Sequence, residues 1–268
     1  MRTKEELYND VNAIPTFEFK QIALALPAAG LPAQDGGSWH AVSTDEHRAI
    51  TEVDSNKPLA FVSDRYQLVQ FRDGFCPLIT EQTDCTGALY YHEGFAVLDV
   101  FPSGDDYVMP SGGQLGISAY NSVNKTSALI IRFSVTDGTR TYTLPKNISS
   151  YYKAHVGNAA AAQQEYIAMI NRIKDVWVQA VNDMNAKEID ADNFGQYAEQ
   201  LVTDPRIMKA VRLEIAAGTK YSLWSMAMRI YDEMQTRYSK SDIHKRKRLD
   251  AFVESLISWG TIYKIAGD

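Results

Sequence analysis

Hydrophobic and polar positions along the chain fall into two regimes. Up to about residue 157 the apolar residues come in short alternating or continuous runs, the spacing of strands. Thr16–Lys20 alternates; Leu59–Val62 is an apolar run, and Gln67–Gln70 follows. Leu89–Phe101 is β-branched and aromatic and predicts two strands around Gly94, with further strands over Leu115–Tyr120 and Ser127–Val135. Helices interrupt this part twice. Lys4–Val11 follows Thr3, with Glu6 three residues on in capping-box spacing, and Arg72–Thr80 predicts a short helix. Leu26–Gly37, broken by Pro27, Gly30 and Pro32, reads as loop.

After Val156 the spacing becomes helical. Tyr166, Ile170, Ile173 and Trp177 share one face of a helix over Ala159–Asn185. Asp204 caps and Pro205 opens another helix, which Gly218 ends. Leu223–Tyr238 and Asp242–Lys264 are the last two. The predicted class is α+β, with a mainly antiparallel sheet in residues 1–157. An all-helical portion, residues 158–268, packs on that sheet and serves oligomerisation or partner contact.

Charge divides the chain differently. The net formal charge is −6, but residues 1–106 carry 7 bases against 17 acids. Tyr107–Gly157 holds five bases, Lys125, Arg132, Arg140, Lys146 and Lys153, against the single acid Asp137. Tyr120, Asn121, Phe133, Tyr142, Asn147, Tyr151 and Tyr152 are interleaved with them. Cations for phosphates and flat rings for bases are what a single-strand nucleic-acid groove needs. An acidic total argues against coating DNA by charge alone and confines contact to one basic face.

Asp137-Gly138 signals a two-residue hairpin turn. That turn would set Thr136 opposite Thr139, Ser134 opposite Thr141 and Arg132 opposite Thr143 on one face. Phe133, Tyr142, Ile131 and Leu144 would occupy the other. The first face then reads as a solvated surface where Arg132 and hydroxyls meet a phosphate backbone, flanked by Arg140 and Lys146. The competing reading is an ordinary strand surface rich in threonine. Beyond the hairpin, Tyr151 or Tyr152 would stack a base, worth roughly 1–3 kcal/mol. Tyr142 is the weakest stacking candidate, because its register puts it on the core side. Lys153 and His155 complete this segment. A second basic cluster, Lys245-Arg-Lys-Arg248, follows His244 and reads either as a phosphate contact or as the solvated face of a helix.

Catalytic and cofactor signals are missing. The chain has no Walker loop, dinucleotide fingerprint or nucleophile elbow. Asp99, Asp105 and Asp106 lack the companion motif of a two-metal nuclease, and Cys76 and Cys85 make neither a zinc quartet nor a disulfide framework. No apolar run reaches the ~20 residues of a membrane helix, and the first residues lack an apolar signal core. The expectation is a non-enzymatic protein without cofactor or membrane contact, in a reducing cytoplasm.

Phe61-Val-Ser-Asp-Arg-Tyr-Gln-Leu-Val-Gln70, Tyr120-Asn-Ser122 and Lys153-Ala-His-Val-Gly-Asn158 together resemble a phage- and plasmid-borne family of unknown function. Val135-Thr-Asp-Gly138 stands where that family carries a cysteine-asparagine element. Length, composition and the basic-aromatic segment are also similar to the single-stranded-DNA-binding RNA polymerase cofactors of N4-like bacterial viruses. That resemblance implies a non-enzymatic protein that holds melted promoter DNA and recruits a phage RNA polymerase, and the helical portion is expected to make it a homo-oligomer. A strand-annealing recombination protein and a structural protein of a phage particle are the alternative readings.

Overall fold

The computed structural model describes residues 1–27, 39–63, 65–66, 68–110, 112–123, 129–144, 150–153, 173–190, 205–214, 219–237 and 242–265. The chain opens with β1 (Arg2–Thr3) and α1 (Lys4–Asn12), where Thr3 and Glu6 form the reciprocal capping box. Three strands follow, β2 (Phe17–Pro27), β3 (Trp39–Glu52) and β4 (Pro58–Ser63), paired in that order as an antiparallel sheet. Then come α2 (Phe71–Thr80), β5 (Cys85–His92) and β6 (Phe95–Pro102). Glu93 and Gly94 both take positive φ in the tight β5–β6 turn. Next are β7 (Gln114–Ser122), β8 (Leu129–Thr136), β9 (Thr141–Thr143) and β10 (Ser150–Lys153). The helical part contains α3 (residues 173–185), β11 (Glu188–Ile189), α4 (Pro205–Glu214), β12 (Tyr221–Ser222), α5 (Leu223–Arg237) and α6 (Asp242–Ile265). The class is α+β.

The main sheet has seven antiparallel strands in the order β1-β5-β6-β7-β8-β10, with β9 also paired to β8. Side chains alternate between its faces. Leu98, Val100, Leu115, Ile117, Ala119, Ile131, Phe133 and Val135 point into a core shared with Leu7 and Val11 of α1 and Phe71, Phe75, Leu78 and Ile79 of α2. The same core runs on through Tyr142 to Trp177, Met226, Ile230, Tyr231, Phe252 and Leu256 of the helical part. On the other face of the sheet lies α6, where Ile243 packs with Phe95, Val97 and Tyr120. Every residue of β6 is buried, because helices cover the sheet on both sides.

Two elements of the motif that resembles the phage family meet here. The side chain of Gln70 bonds the backbone of Phe17 at both ends, accepting from its N–H (3.2 Å) and donating to its carbonyl (2.6 Å). The Tyr66 hydroxyl donates to the Ser122 carbonyl (3.4 Å), and Asn121 Nδ2 donates to the Val69 carbonyl (3.1 Å). These residues therefore tie the β4–α2 connection to β2 and β7. Asp64 and Gln67 of the motif lie outside the described residues, as does its third element after Lys153.

The hairpin differs from the expected two-residue turn. Thr136 pairs with Thr141, Val135 with Tyr142 and Ser134 with Thr143, so the loop is the four residues Asp137–Arg140. The Asp137 carboxylate causes this: Oδ1 accepts from the Thr139 and Arg140 amides at 2.9 and 2.8 Å, closing a wider loop than Asp-Gly alone would make. The register slips by two, an even number, so each residue keeps its face.

At one crossing the strands come unusually close. A Cβ on Gly116 would sit 2.3 Å from the Val100 carbonyl oxygen and 2.4 Å from the Phe101 ring. Gly116→Ala therefore forces the strand or the ring to move, and we expect a loss of about 1–3 kcal/mol in urea unfolding. Wild-type stability in that variant would show that the crossing relaxes freely.

Candidate nucleic-acid interface

The face of the hairpin expected to meet phosphates is covered. Asp99 of β6, Ser118 and Tyr120 of β7, Arg132, Ser134 and Thr136 of β8 and Thr143 of β9 share that face, and all are buried. Lying on them is α6, which presents Arg246, Asp250 and Glu254 at i, i+4 and i+8, a spacing that aligns them along one side of a helix. Polar strand face and polar helix stripe satisfy each other.

Arg246 is the centre of this contact, 3% exposed. Its Nη2 lies 3.0 Å from Asp99 Oδ1, 2.8 Å from Thr143 Oγ1 and 3.5 Å from Asp250 Oδ1, while Nη1 donates to the Thr141 carbonyl at 3.2 Å. Asp250 in turn accepts from the Tyr120 hydroxyl and from Thr143 Oγ1, both at 2.8 Å. Ser118 donates to Asp99 and sits 2.5 Å from the Ser134 hydroxyl. One cation thus serves two carboxylates. Burial pushes the Asp99 carboxyl upward from its usual range, although Arg246 and Ser118 pull the other way. Burial and the Asp250 charge hold the Tyr120 phenol well above its ordinary value.

Arg132 makes a second, parallel tie. Its Nε and Nη2 donate to the Leu144 carbonyl at 2.9 and 2.5 Å, and Nη2 reaches Glu254 at 3.3 Å. Arg140 is clamped between two acids. Nε and Nη2 form a two-point fork on Asp232 of α5 at 2.7 and 2.6 Å, and Nη1 lies 3.0 Å from Asp137. Tyr142 is a core residue, 3% exposed, with ring centroids of Trp177, Trp224 and Tyr231 at 5.4–5.6 Å. The reading of Arg132 and Arg140 as a solvated contact surface is therefore corrected, and Tyr142, on the core side as its register implied, is too buried to stack a base. The hydroxyl-rich face is matched by α6 rather than by water; Glu254 and Asp232 of the helical part hold the two arginines, with Asp137 of the hairpin as the second acid on Arg140.

Of the remaining candidates, Lys125, Lys146 and His155 lie outside the described residues. Tyr151, Tyr152 and Lys153 belong to β10, an edge strand, with Tyr152 opposite Ile130 in the register; only their backbone is described. The cluster on α6 divides cleanly. Ile243, Arg246, Leu249 and Asp250 face inward, whereas His244, Lys247 and Arg248 are exposed and Lys245 is half-buried. Lys247 extends over the Phe95 ring, Nζ 3.5 Å from its centroid, and burial lowers its ammonium from the ordinary value. His244 meets His92 edge-on, ring centroids 5.4 Å apart.

No protein-family model, curated protein or solved structure matches the chain. The site must be judged on its own chemistry.

Beside the buried network, where β9, α5 and α6 meet, a cavity of about 150 Å³ opens between Tyr90, Thr141, Tyr231, Gln235, Lys245 and Arg246. Burial raises the Tyr90 phenol, and raises that of Tyr231 to about 12. Among the described residues no cluster of three His, Cys, Asp or Glu side chains could hold a metal ion, and no helix is long and apolar enough to cross a membrane.

One signal in the sequence pointed to the network. Asp99 is the only charged residue in the apolar run Phe95–Pro102, and a buried acid in such a strand demands a partner. That partner was hidden inside the basic cluster, 147 residues further on.

Two outcomes follow for the acids and bases of this region. Removing one member of a buried ion network leaves the others uncompensated, so Arg246→Ala should lose about 3–5 kcal/mol. Lys247→Ala, one residue along but exposed, should stay within about 0.5 kcal/mol of wild type. Equal losses in urea unfolding would refute the division of the cluster. For Asp137, partial burial pushes the carboxyl up, but the Arg140 and Thr139 amides and the Tyr142 hydroxyl outweigh it and bring the pKa down to about 2. A depressed carboxyl stabilises the fold above its unfolded value, and that contribution disappears as pH falls from about 4 toward 2. Allowing for solvent screening it amounts to the order of 1 kcal/mol. Asp137→Asn should flatten this part of the pH–stability curve; an unaltered slope would contradict the assignment.

Proposed function

We propose that this protein binds single-stranded nucleic acid, with the outward face of α6 as the main contact rather than the hairpin. The observation that carries this reading is the split of His244–Arg248. Within about a turn and a half the helix sends Arg246 into the sheet and keeps Lys247 and Arg248 exposed, with His244 and half-buried Lys245 beside them. Cations ranged along one surface are the electrostatic footprint of phosphate binding.

Edge strand β10 supports it. Tyr152 holds the position opposite Ile130, and Ile130 packs against the small cluster of Phe95, Val97, Tyr120 and Ile243 on which α6 begins. The backbone of this strand and the start of α6 thus border the same part of the sheet, an arrangement that would let one surface carry both phosphate contacts and base stacking. The acidic remainder of the chain repels a polyanion elsewhere and limits contact to this region. The resemblance to the RNA polymerase cofactors of N4-like viruses extends the reading to single-stranded DNA in phage transcription, with a polymerase as partner and a self-associated protein as the binding form.

Fluorescence anisotropy of a labelled single-stranded oligonucleotide over a salt series, with duplex as competitor, tests the reading. We expect preference for the single strand and a steep fall with salt. Lys247→Gln combined with Arg248→Gln should reduce the slope of log K against log salt by about 1.4, the release expected for two single-strand phosphate contacts. Absence of binding at low salt would overturn the function. An unchanged slope would move the contact away from α6.

A further inference from the structure

The cavity between β9, α5 and α6 carries more than the surface beside it. We propose that it is a phosphomonoester site, taking the terminal phosphate of a nucleic-acid strand or the phosphate of a mononucleotide. The strand-end form rests on the single-strand reading above; the pocket itself does not.

Its lining sets the chemistry. Two cations, Lys245 and Arg246, stand with the hydroxyl-bearing Tyr90, Tyr231, Thr139 and Thr141 and the Gln235 amide, and none of the lining residues is an acid. Asp99 and Asp250, the carboxylates of the neighbouring network, are engaged through Arg246 and do not line the cavity. A cation would therefore find no anionic ligand among the lining residues, whereas a phosphate meets Lys245, the edge of the Arg246 guanidinium and the donors of Tyr90 and Gln235.

Arg246 supplies the second observation. It is buried, it lines the cavity, and its Nε–H is buried with no hydrogen-bond partner among the described residues. A guanidinium N–H left unpaired in the interior carries the full penalty of its lost hydration. A phosphate oxygen in the cavity would supply that acceptor once the side chain turns to uncover Nε, which solvent does not reach in this structure. The Tyr231 hydroxyl is already occupied, donating to the Thr141 carbonyl at 3.0 Å, which fixes that wall in place. Tyr90, whose ring lies 6.0 Å from the Arg246 guanidinium carbon, brings a second phenol to the same opening.

Size decides between a chain end and a chain interior. A space of about 150 Å³ accommodates one phosphate with part of its sugar, not a strand passing through. A monoester also offers three terminal oxygens to these donors where an internal diester offers two.

The test compares oligonucleotides of one sequence carrying a phosphate at the 5′ end, at the 3′ end or at neither, by anisotropy on the full chain. Calorimetry with inorganic phosphate and with AMP runs beside it. One of the two phosphorylated strands should bind about tenfold more tightly than the hydroxyl-ended strand. Tyr90→Phe and Gln235→Leu, chosen because Arg246 also holds the fold, should remove most of that difference while hydroxyl-ended binding stays as in wild type. Thermal melting confirms that both variants are folded.

Equal affinity for all three strands, with no uptake of phosphate or AMP, would overturn the site while leaving single-strand binding standing. Failure of every oligonucleotide, with AMP or phosphate still bound and weakened by Tyr90→Phe, would uphold the site and overturn the single-strand reading. Phosphate or AMP binding that neither variant weakens would place the anion elsewhere and refute the assignment.

Discussion

A single guanidinium sets the geometry of the sheet's second face. Arg246 is almost wholly buried, so its charge must be matched within the protein, and the matching groups come from three strands and from its own helix. Asp99, Ser118, Ser134 and Thr143 would be costly to bury under an apolar helix; beneath Arg246 and Asp250 they are partners. Exchanging such a network for well-packed apolar residues is often neutral in stability, whereas misaligning it strands a charge. Its consequence for this fold is therefore register. A quarter turn or a one-residue slide of α6 would leave Asp99, Arg132 and Asp250 without the groups they now contact.

That constraint changes what the charge distribution means. Counted along the chain, Tyr107–Gly157 is the basic segment and the region after it is balanced. Folded, Arg132 is held by Glu254 and Arg140 by Asp232, acids that the linear count assigns to the balanced region. Lys247 and Arg248 stand exposed on α6, in the region that the count calls balanced. Net charge per segment is a property of sequence, whereas the field a polyanion meets depends on which charges have already been neutralised across the fold.

Much of the architecture was legible because its causes are local. The Thr3–Glu6 box, the Gly94 turn and the proline at the start of α4 each act within a few residues of the effect they produce. The hairpin loop was misjudged because Asp137 does more than tolerate a turn: its carboxylate gathers two amides and lengthens the loop. The polar face of β8 was misjudged for a deeper reason. Alternation separates two faces of a strand, but it cannot tell a face that meets water from one that meets a polar helix stripe. The stripe was itself written in the sequence as Arg246, Asp250 and Glu254, yet a basic run at its start disguised it. Gln70, Tyr66 and Asn121 show the same limit from the other side. They read as a motif and act as hydrogen-bonded fasteners between β2, α2 and β7.

Arg246 also links the buried network to the cavity, and this sharing has an energetic meaning. Nη2 is directed to the sheet and Nη1 donates to the backbone of Thr141, while Nε has no partner among the described residues. An acceptor supplied from the cavity would complete the same residue that fixes α6, so occupancy and helix docking would strengthen each other by linkage. Lys247 and Arg248 lie one turn or less from that point on the outward side of the helix. Events on the exposed face and in the cavity are therefore both referred to the position of α6, and the position of α6 is referred to Arg246. Any ligand that distinguishes the docked helix from a displaced one acts through this residue, whichever side it approaches from.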